Sequence, residues 1–214
     1  AEEVLVPAAF PVRRIELKHA FTAIRLLPGE RTLLAAAPTS NAMAILHLDV
    51  GREIATLSVL ARADPASAAA WSTAEGVRIA LPLADRDGLA VIDSADWSVA
   101  RSVDIAGLAL LRGHPSSPHL WAIQRGSPAG DVLLVLERST LRIDATLRPG
   151  TGVRVEDLAF TRDGSHIVAT TDRKGGGVQI YDAATRALAA QLPTASPAFV
   201  VTLKNASSGT GQRR

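Results

Sequence analysis

One pattern recurs four times along this chain: an apolar strand, an acidic turn residue and a second strand. It is read in AMAILHLDVGREIATL, LAVIDSADWSVARSV, VLLVLERSTLRIDATL and VQIYDAATRALAAQL. The turn residues Asp49, Asp93, Glu137 and Asp182 are separated by 44, 44 and 45 positions. Each copy is preceded by a further pair of apolar runs around a turn: Pro28-Gly29-Glu30, Glu75-Gly76, His114 to Pro118, and Arg162-Asp163-Gly164. Short apolar runs bounded by Gly, Pro, Asp and Ser are strand and hairpin signals. Four strands repeating at this interval match the four-stranded blade of a β-propeller. No segment sustains an amphipathic helix. A β-sandwich or an open solenoid of the same repeats would share the periodicity.

The expected fold class is therefore all-β, an incomplete β-propeller of four four-stranded blades plus a partial N-terminal blade. The partial blade is placed at residues 3–18, with Pro7 where the acidic residue would sit. The blades fall at about 22–59, 67–105, 107–148 and 154–193, followed by a closing strand at 197–204 and a disordered tail at 206–214. A blade buries both faces against its neighbours, so such an arc leaves two open flanks. The expected partner is a missing propeller half, or a second copy in a homo-oligomer through the open blade flanks.

Composition removes several classes of function. The 214 residues include no cysteine, which excludes disulfides, cysteine-bound zinc, iron–sulfur clusters and a covalently attached c-type haem. No apolar run reaches a membrane span. The start, AEEVLVPAAF, lacks the basic and apolar regions of a signal peptide. The net charge is +2, and Lys and Arg form no stripe interleaved with aromatics, so no nucleic-acid partner is expected.

The third repeat is more specific. Gly113-His114-Pro115-Ser116-Ser117-Pro118-His119-Leu120-Trp121 resembles the HP-x-S-x-HLW segment of the haem d₁ domain of cytochrome cd₁ nitrite reductases and their relatives in haem d₁ biosynthesis. Ala36-Ala37-Pro38-Thr39-Ser40-Asn41 is similar to that family's AAN-x-SN element. Ser196-Pro197-Ala198-Phe199 through Asn205 resembles its TPTGKFNVYN ending. The resemblance runs over roughly residues 10–205, like the C-terminal half of the eight-bladed domain. It implies a YVTN or WD40-like repeat protein, a haem d₁ or related tetrapyrrole cofactor, and a periplasmic location.

Carried over residue by residue, the family histidine of the HDGG context has its nearest counterpart in His19, without the glycines. The second family histidine, in PHPGRGAN, matches Asp64 in Ala63-Asp64-Pro65-Ala66-Ser67-Ala68. An imidazolium donates a proton near neutral pH, whereas an aspartate of ordinary acidity is ionised and does not. Nitrite reduction by the family mechanism is therefore not expected of this chain by itself.

The candidate cofactor site comprises His19, Arg86, Arg173 and Lys174. A neutral imidazole is a good iron ligand, which makes His19 the metal candidate. Asp85-Arg86-Asp87-Gly88 and Asp172-Arg173-Lys174-Gly175 occupy equivalent loops between second and third strands, on one rim. Their cations suit the carboxylates of a tetrapyrrole. Solvated hairpin tips and a strand-end histidine are the plainer readings. His114 and His119 read as turn residues, His47 as a packed strand histidine, His166 as a solvent-facing one, and Trp71, Trp97 and Trp121 as packing between blades. No nucleophile motif of the G-x-S-x-G kind is present. The leading function is binding of a modified tetrapyrrole. The alternative is a cofactor-free scaffold for protein contacts, and enzyme activity on a small substrate has least support.

Overall fold

A computed structural model describes residues 21, 23–29, 31–36, 42–57, 63–83, 87–172, 174, 176–194 and 197. It contains sixteen strands and, among the described residues, no α-helix. They form four four-stranded antiparallel sheets, each in sequence order. The first sheet holds β1 (Ala23–Leu26), β2 (Thr32–Ala36), β3 (Met43–His47) and β4 (Arg52–Leu57). The second holds β5 (Ala69–Ser72), β6 (Val77–Leu83), β7 (Gly88–Asp93) and β8 (Ser98–Val103). The third holds β9 (Leu108–Gly113), β10 (His119–Gln124), β11 (Val132–Glu137) and β12 (Ile143–Leu147). The fourth holds β13 (Val155–Phe160), β14 (His166–Thr171), β15 (Gly177–Asp182) and β16 (Leu188–Pro193). β9 packs beside both β5 and β13, so the first strand of each sheet lies innermost. This is the architecture of an incomplete β-propeller. The sequence segments placed at 3–18 and 206–214, and the closing strand apart from Pro197, lie outside the described residues.

The continuous apolar runs of the third strands follow from burial on two faces. Met43 to Leu46, Gly88 to Ile92 and Val132 to Leu136 are buried at every position. A strand covered on both sides has no polar face and loses alternation. Each fully buried Leu or Ile in such a run contributes about 1.5–3 kcal/mol. β15 differs. Gly177, Gln179 and Tyr181 are buried, while Val178 and Ile180 are half-buried. One face of the fourth blade packs on the third, through Tyr181, Ile167, Leu158 and Trp121. Its opposite face carries Val168 paired with Ile180, and Val178 paired with the exposed Leu192.

The recurring acidic residue closes the hairpin between third and fourth strands. The Glu137 carboxylate accepts N–H bonds from Ser139 (3.2 Å) and Thr140 (3.0 Å). Asp182 accepts from Ala184 (3.0 Å) and Thr185 (2.6 Å), and Asp93 accepts from Ala95 (3.0 Å). These are Asx-type turns. Hydrogen bonds from the Ser139 and Thr140 side chains, aided by their N–H groups, hold Glu137 down at a pKa of about 2. Four residues after each acid the backbone turns left-handed, at Trp97 (φ 58°), Leu141 (φ 60°) and Arg186 (φ 64°). In the first blade that position is Gly51 (φ 69°), whose N–H donates to His47 O at 2.8 Å. The structural counterpart of Asp93 is therefore His47, and Asp49 instead faces Arg31 at 3.5 Å. The fourth strand of every blade also carries a β-bulge at an equivalent place, opposite Ile45/Leu46, Val91/Ile92, Val135/Leu136 and Ile180/Tyr181.

Because the strands run alternately up and down, loops share rims by class. The connections between blades and the second-to-third-strand loops lie on one rim, here the first rim. The first-to-second and third-to-fourth hairpins lie on the second rim.

Candidate functional site

The described part of the connection between the first two blades, residues 63–68, is buried at Ala63, Pro65, Ser67 and Ala68. It forms a 3₁₀ turn, Pro65–Ser67, that packs against β1, β2, β6 and β9 inside the arc of innermost strands. Its residues explain the turn. Asp64 is the N-cap and accepts the Ala66 N–H at 2.9 Å. Pro65, at the first position, has its φ preset for it. Ser67 donates its N–H (3.1 Å) and its hydroxyl (2.7 Å) to Asp64 O.

The turn aims the Ala66 carbonyl at two cations. Arg25 Nη1 on β1 donates to it at 3.2 Å, and Arg112 Nη1 on β9 at 3.1 Å. Arg112 is further held by Leu158 O (2.9 Å, from Nε) and by Asp157 Oδ1 (2.9 Å, from Nη2). Arg25 forms no salt bridge among the described residues. Burial, then the nearby Arg112 charge, depress the Arg25 pKa to about 10, with Asp64 opposing. Burial also lowers that of Arg112, against the pull of Asp157. Both guanidiniums remain charged at neutral pH. The axial site thus holds two cations sharing one carbonyl, one of them lacking a carboxylate partner among the described residues. Such a group favours an anionic ligand.

Of the four sequence candidates, the described residues include Lys174 alone; His19, Arg86 and Arg173 lie outside them. Lys174 is exposed on the first rim, beside a pocket of ≈ 310 Å³ at the junction of the third and fourth blades. A Cβ at Gly152 would lie 3.6 Å from Lys174 Nζ. The pocket adds Arg125 and Arg154 to Lys174, against the single lining carboxylate of Asp131. Arg125 Nη2 donates to Val155 O at 3.1 Å, while its buried Nε has no hydrogen-bond partner among the described residues and lies 3.9 Å from Asp131 Oδ2. Arg154 faces Glu156 at 3.3 Å.

Sequence reasoning missed Arg25, Arg112, Arg125 and Arg154. The available signal was an arginine inside an otherwise apolar strand, in AIRLL and LALLRG.

The HPSSP segment forms a turn. His114 Nδ1 accepts N–H bonds from Ser116 (3.1 Å) and Ser117 (2.8 Å), and its ring meets the edge of Phe160. His119 Nε2 lies 3.3 Å from Asp144. Trp121 is buried between the third and fourth blades. No group of three metal-ligating side chains occurs among the described residues. None of their helices is long and apolar enough to cross a membrane.

The fold is an incomplete propeller with two arginines meeting at its axis, and comparison makes its class specific. The family model described as Cytochrome D1 heme domain matches residues 13–205, and the chain belongs to this family. It is 26% identical over 171 residues to the dihydro-heme d1 dehydrogenase of Pseudomonas aeruginosa, covering 79% of this chain and 35% of that protein. It is 27% identical over 131 residues to protein NirF of Stutzerimonas stutzeri, covering 61% and 32%. The chain thus spans about a third of the length of these curated relatives. Among solved structures, dihydro-heme d1 dehydrogenase NirN in complex with DHE superposes with a TM-score of 0.74 at 25% identity, over 86% of this chain and 40% of that one. The β-propeller domain of Myceliophteria thermophila Cps50 (Swd1) has a TM-score of 0.66 at 16% identity, over 87% and 59%, a likeness of fold alone. The relationship is therefore to the haem d₁ domain and to proteins of haem d₁ biosynthesis.

The residues present fit the carboxylates of a tetrapyrrole, since Arg25 and Lys174 are charged and form no salt bridge among the described residues. The described axial residues supply no imidazole for an iron.

Proposed function

We propose that this chain contributes to a haem d₁-type tetrapyrrole site on the first rim, over the axial arginines. The observation that carries the reading is the convergence of Arg25 and Arg112 on Ala66 O, with no ion pair to Arg25 among the described residues. Family membership and the DHE held in the NirN complex support it. Arg25 and Arg112 would hold ligand carboxylates at the axis, with Lys174, Arg125 and Arg154 at the rim. Arg86 and Arg173, on the same class of loop, and His19, as the residue that would ligate iron, belong to the same proposal. Bound, the tetrapyrrole would supply iron redox chemistry. The chain's own part would be to bind and orient it. With Asp64 committed to capping Ala66, the position carries no imidazole to deliver a proton, so the reading is binding without nitrite reduction. A periplasmic location goes with it.

The test is an optical titration of the full chain with haem and with haem d₁, beside Arg25→Ala and His19→Ala. One-to-one binding that Arg25→Ala weakens by about tenfold, the loss of one charge-assisted bond, is expected. Loss of the iron spectral shift in His19→Ala would assign the ligand. Absence of saturable binding would reject the reading.

The half-buried apolar face of the fourth blade favours a second reading, a scaffold without cofactor. It would bind the missing propeller half, or another copy of itself, through that face.

A further inference from the structure

The second rim carries a groove unrelated to the axial site, between the second and third blades. Its volume is ≈ 430 Å³. The register of the second blade builds its wall. Trp71 pairs with Arg78 and Arg78 with Asp93, while two residues along each strand Ala80 pairs with Val91 and Val91 with Arg101. Alternation places Trp71, Arg78, Val91 and Arg101 on one face. That face packs on the third blade through Ala69, Ala80 and Val91.

The charges are unbalanced. Arg78 is neutralised by Asp93 at 2.7 Å. Arg101 donates from Nη1 to Ser139 O on the third blade. Arg138 comes from the third blade in the opposite sense. Its guanidinium carbon lies 5.6 Å from the Trp71 ring centroid, and its Nη2 donates to His114 O. Neither Arg101 nor Arg138 has a carboxylate partner among the described residues. The one carboxylate lining the groove is that of Glu75. Trp71, Val91 and Ala100 supply apolar wall beside these cations.

We propose that this groove binds a small organic carboxylate with an apolar body, its anionic end on Arg101 and Arg138 and its body against Trp71, Val91 and Ala100. The volume lies in the range of small-molecule sites, which combine apolar walls with a few placed polar groups. Arg offers a carboxylate paired N–H donors. Glu75 competes for the same cations and sets the affinity low.

The experiment is calorimetric titration of the full chain with naphthalene-2-carboxylate and with its neutral amide, following the Trp71 indole N–H by NMR. The carboxylate is expected to saturate and to shift that signal, and the amide to do neither. Arg101→Gln, at an exposed position, should weaken binding by about tenfold, the effect of one hydrogen bond to a charged group. Glu75→Gln should strengthen it severalfold. Equal binding of acid and amide, or indifference to both variants with folding intact, overturns the proposal. So does an acidic peptide without an apolar ring that competes as well as the naphthoate. Haem binding on the opposite rim is a separate readout, and neither result decides the other.

Discussion

Arg112 on β9 and Asp157 on β13 are joined at 2.9 Å, a bond between the innermost strands of adjacent blades. Arg112 is held at the same time by the carbonyls of Ala66 and Leu158, so one side chain links the interblade turn, the third blade and the fourth. Replacing Asp157 by Ala leaves that guanidinium without its counter-charge in a half-buried place. The expected cost is about 2 kcal/mol in urea unfolding. Adding Arg112→Met should recover part of it. A cost below about 0.5 kcal/mol, the scatter of neutral surface changes, would show the bond to be idle.

His114 should make stability fall in mild acid. Burial lowers its pKa from the ordinary 6.5, against a hydrogen bond with the Gly164 backbone that raises it. The unfolded chain then binds a proton that the folded chain resists. The contribution is complete above about pH 6.5 and is lost as pH falls through the depressed folded value. Unfolding midpoints between pH 7.5 and 5 should slope downward in the wild type and less so in His114→Asn. Parallel slopes would remove His114 from the account.

Glu137 acts in stronger acid. Its folded pKa of about 2 lies below the ordinary 4.5, so its contribution is present above about 4.5 and is lost as pH falls toward 2. Glu137→Gln should flatten the acid limb of the stability profile in that window. An unchanged limb would mean that the turn bonds do not distinguish the charged form.

The left-handed turn position offers a test with two signs. Arg186 (φ 64°) is half-buried and donates from Nη1 to Asp144 O at 3.3 Å, whereas Leu141 (φ 60°) is only 3% exposed. Glycine at 186 relieves backbone strain and gives up only that long bond, so it should stabilise by less than about 1 kcal/mol. Glycine at 141 relieves the same strain but empties a core position and should destabilise by about 2 kcal/mol. Thermal unfolding of both variants checks it, and a loss at 186 would contradict the strain argument.

Self-association, if it proceeds through the fourth blade, should depend on Val178 and Ile180. Ile180→Asp puts a charge on that half-buried face and should shift sedimentation toward monomer. A monomeric wild type at all concentrations would dispose of the second copy as partner.

The repeat was legible because both-face burial writes itself as apolar runs, and because three of its turns place an acid, Asp93, Glu137 or Asp182, at the same position. The first blade misled for a physical reason. The turn is defined by a left-handed fourth residue, which Gly51 satisfies without any acid at His47, so a search for acids settled on Asp49. The axial site was hidden because residues 25, 66, 112 and 157 meet through tertiary packing, and no spacing encodes that meeting. Loop class alone placed Lys174 on its rim. Asp64 was noticed as a replaced histidine, but its role as the cap that turns Ala66 O inward follows only from the 3₁₀ geometry.

The bulge in every fourth strand sets how this protein can meet others. An outermost strand with a straight row of free N–H and C=O groups is a template on which another chain can grow as a sheet. Here each of the four outer margins is kinked near its midpoint, opposite the same step of its neighbour. A continuous intermolecular ladder would have to break at every kink. The molecule is thereby guarded against fibre-like stacking along its circumference, and its encounters are directed to faces and rims instead.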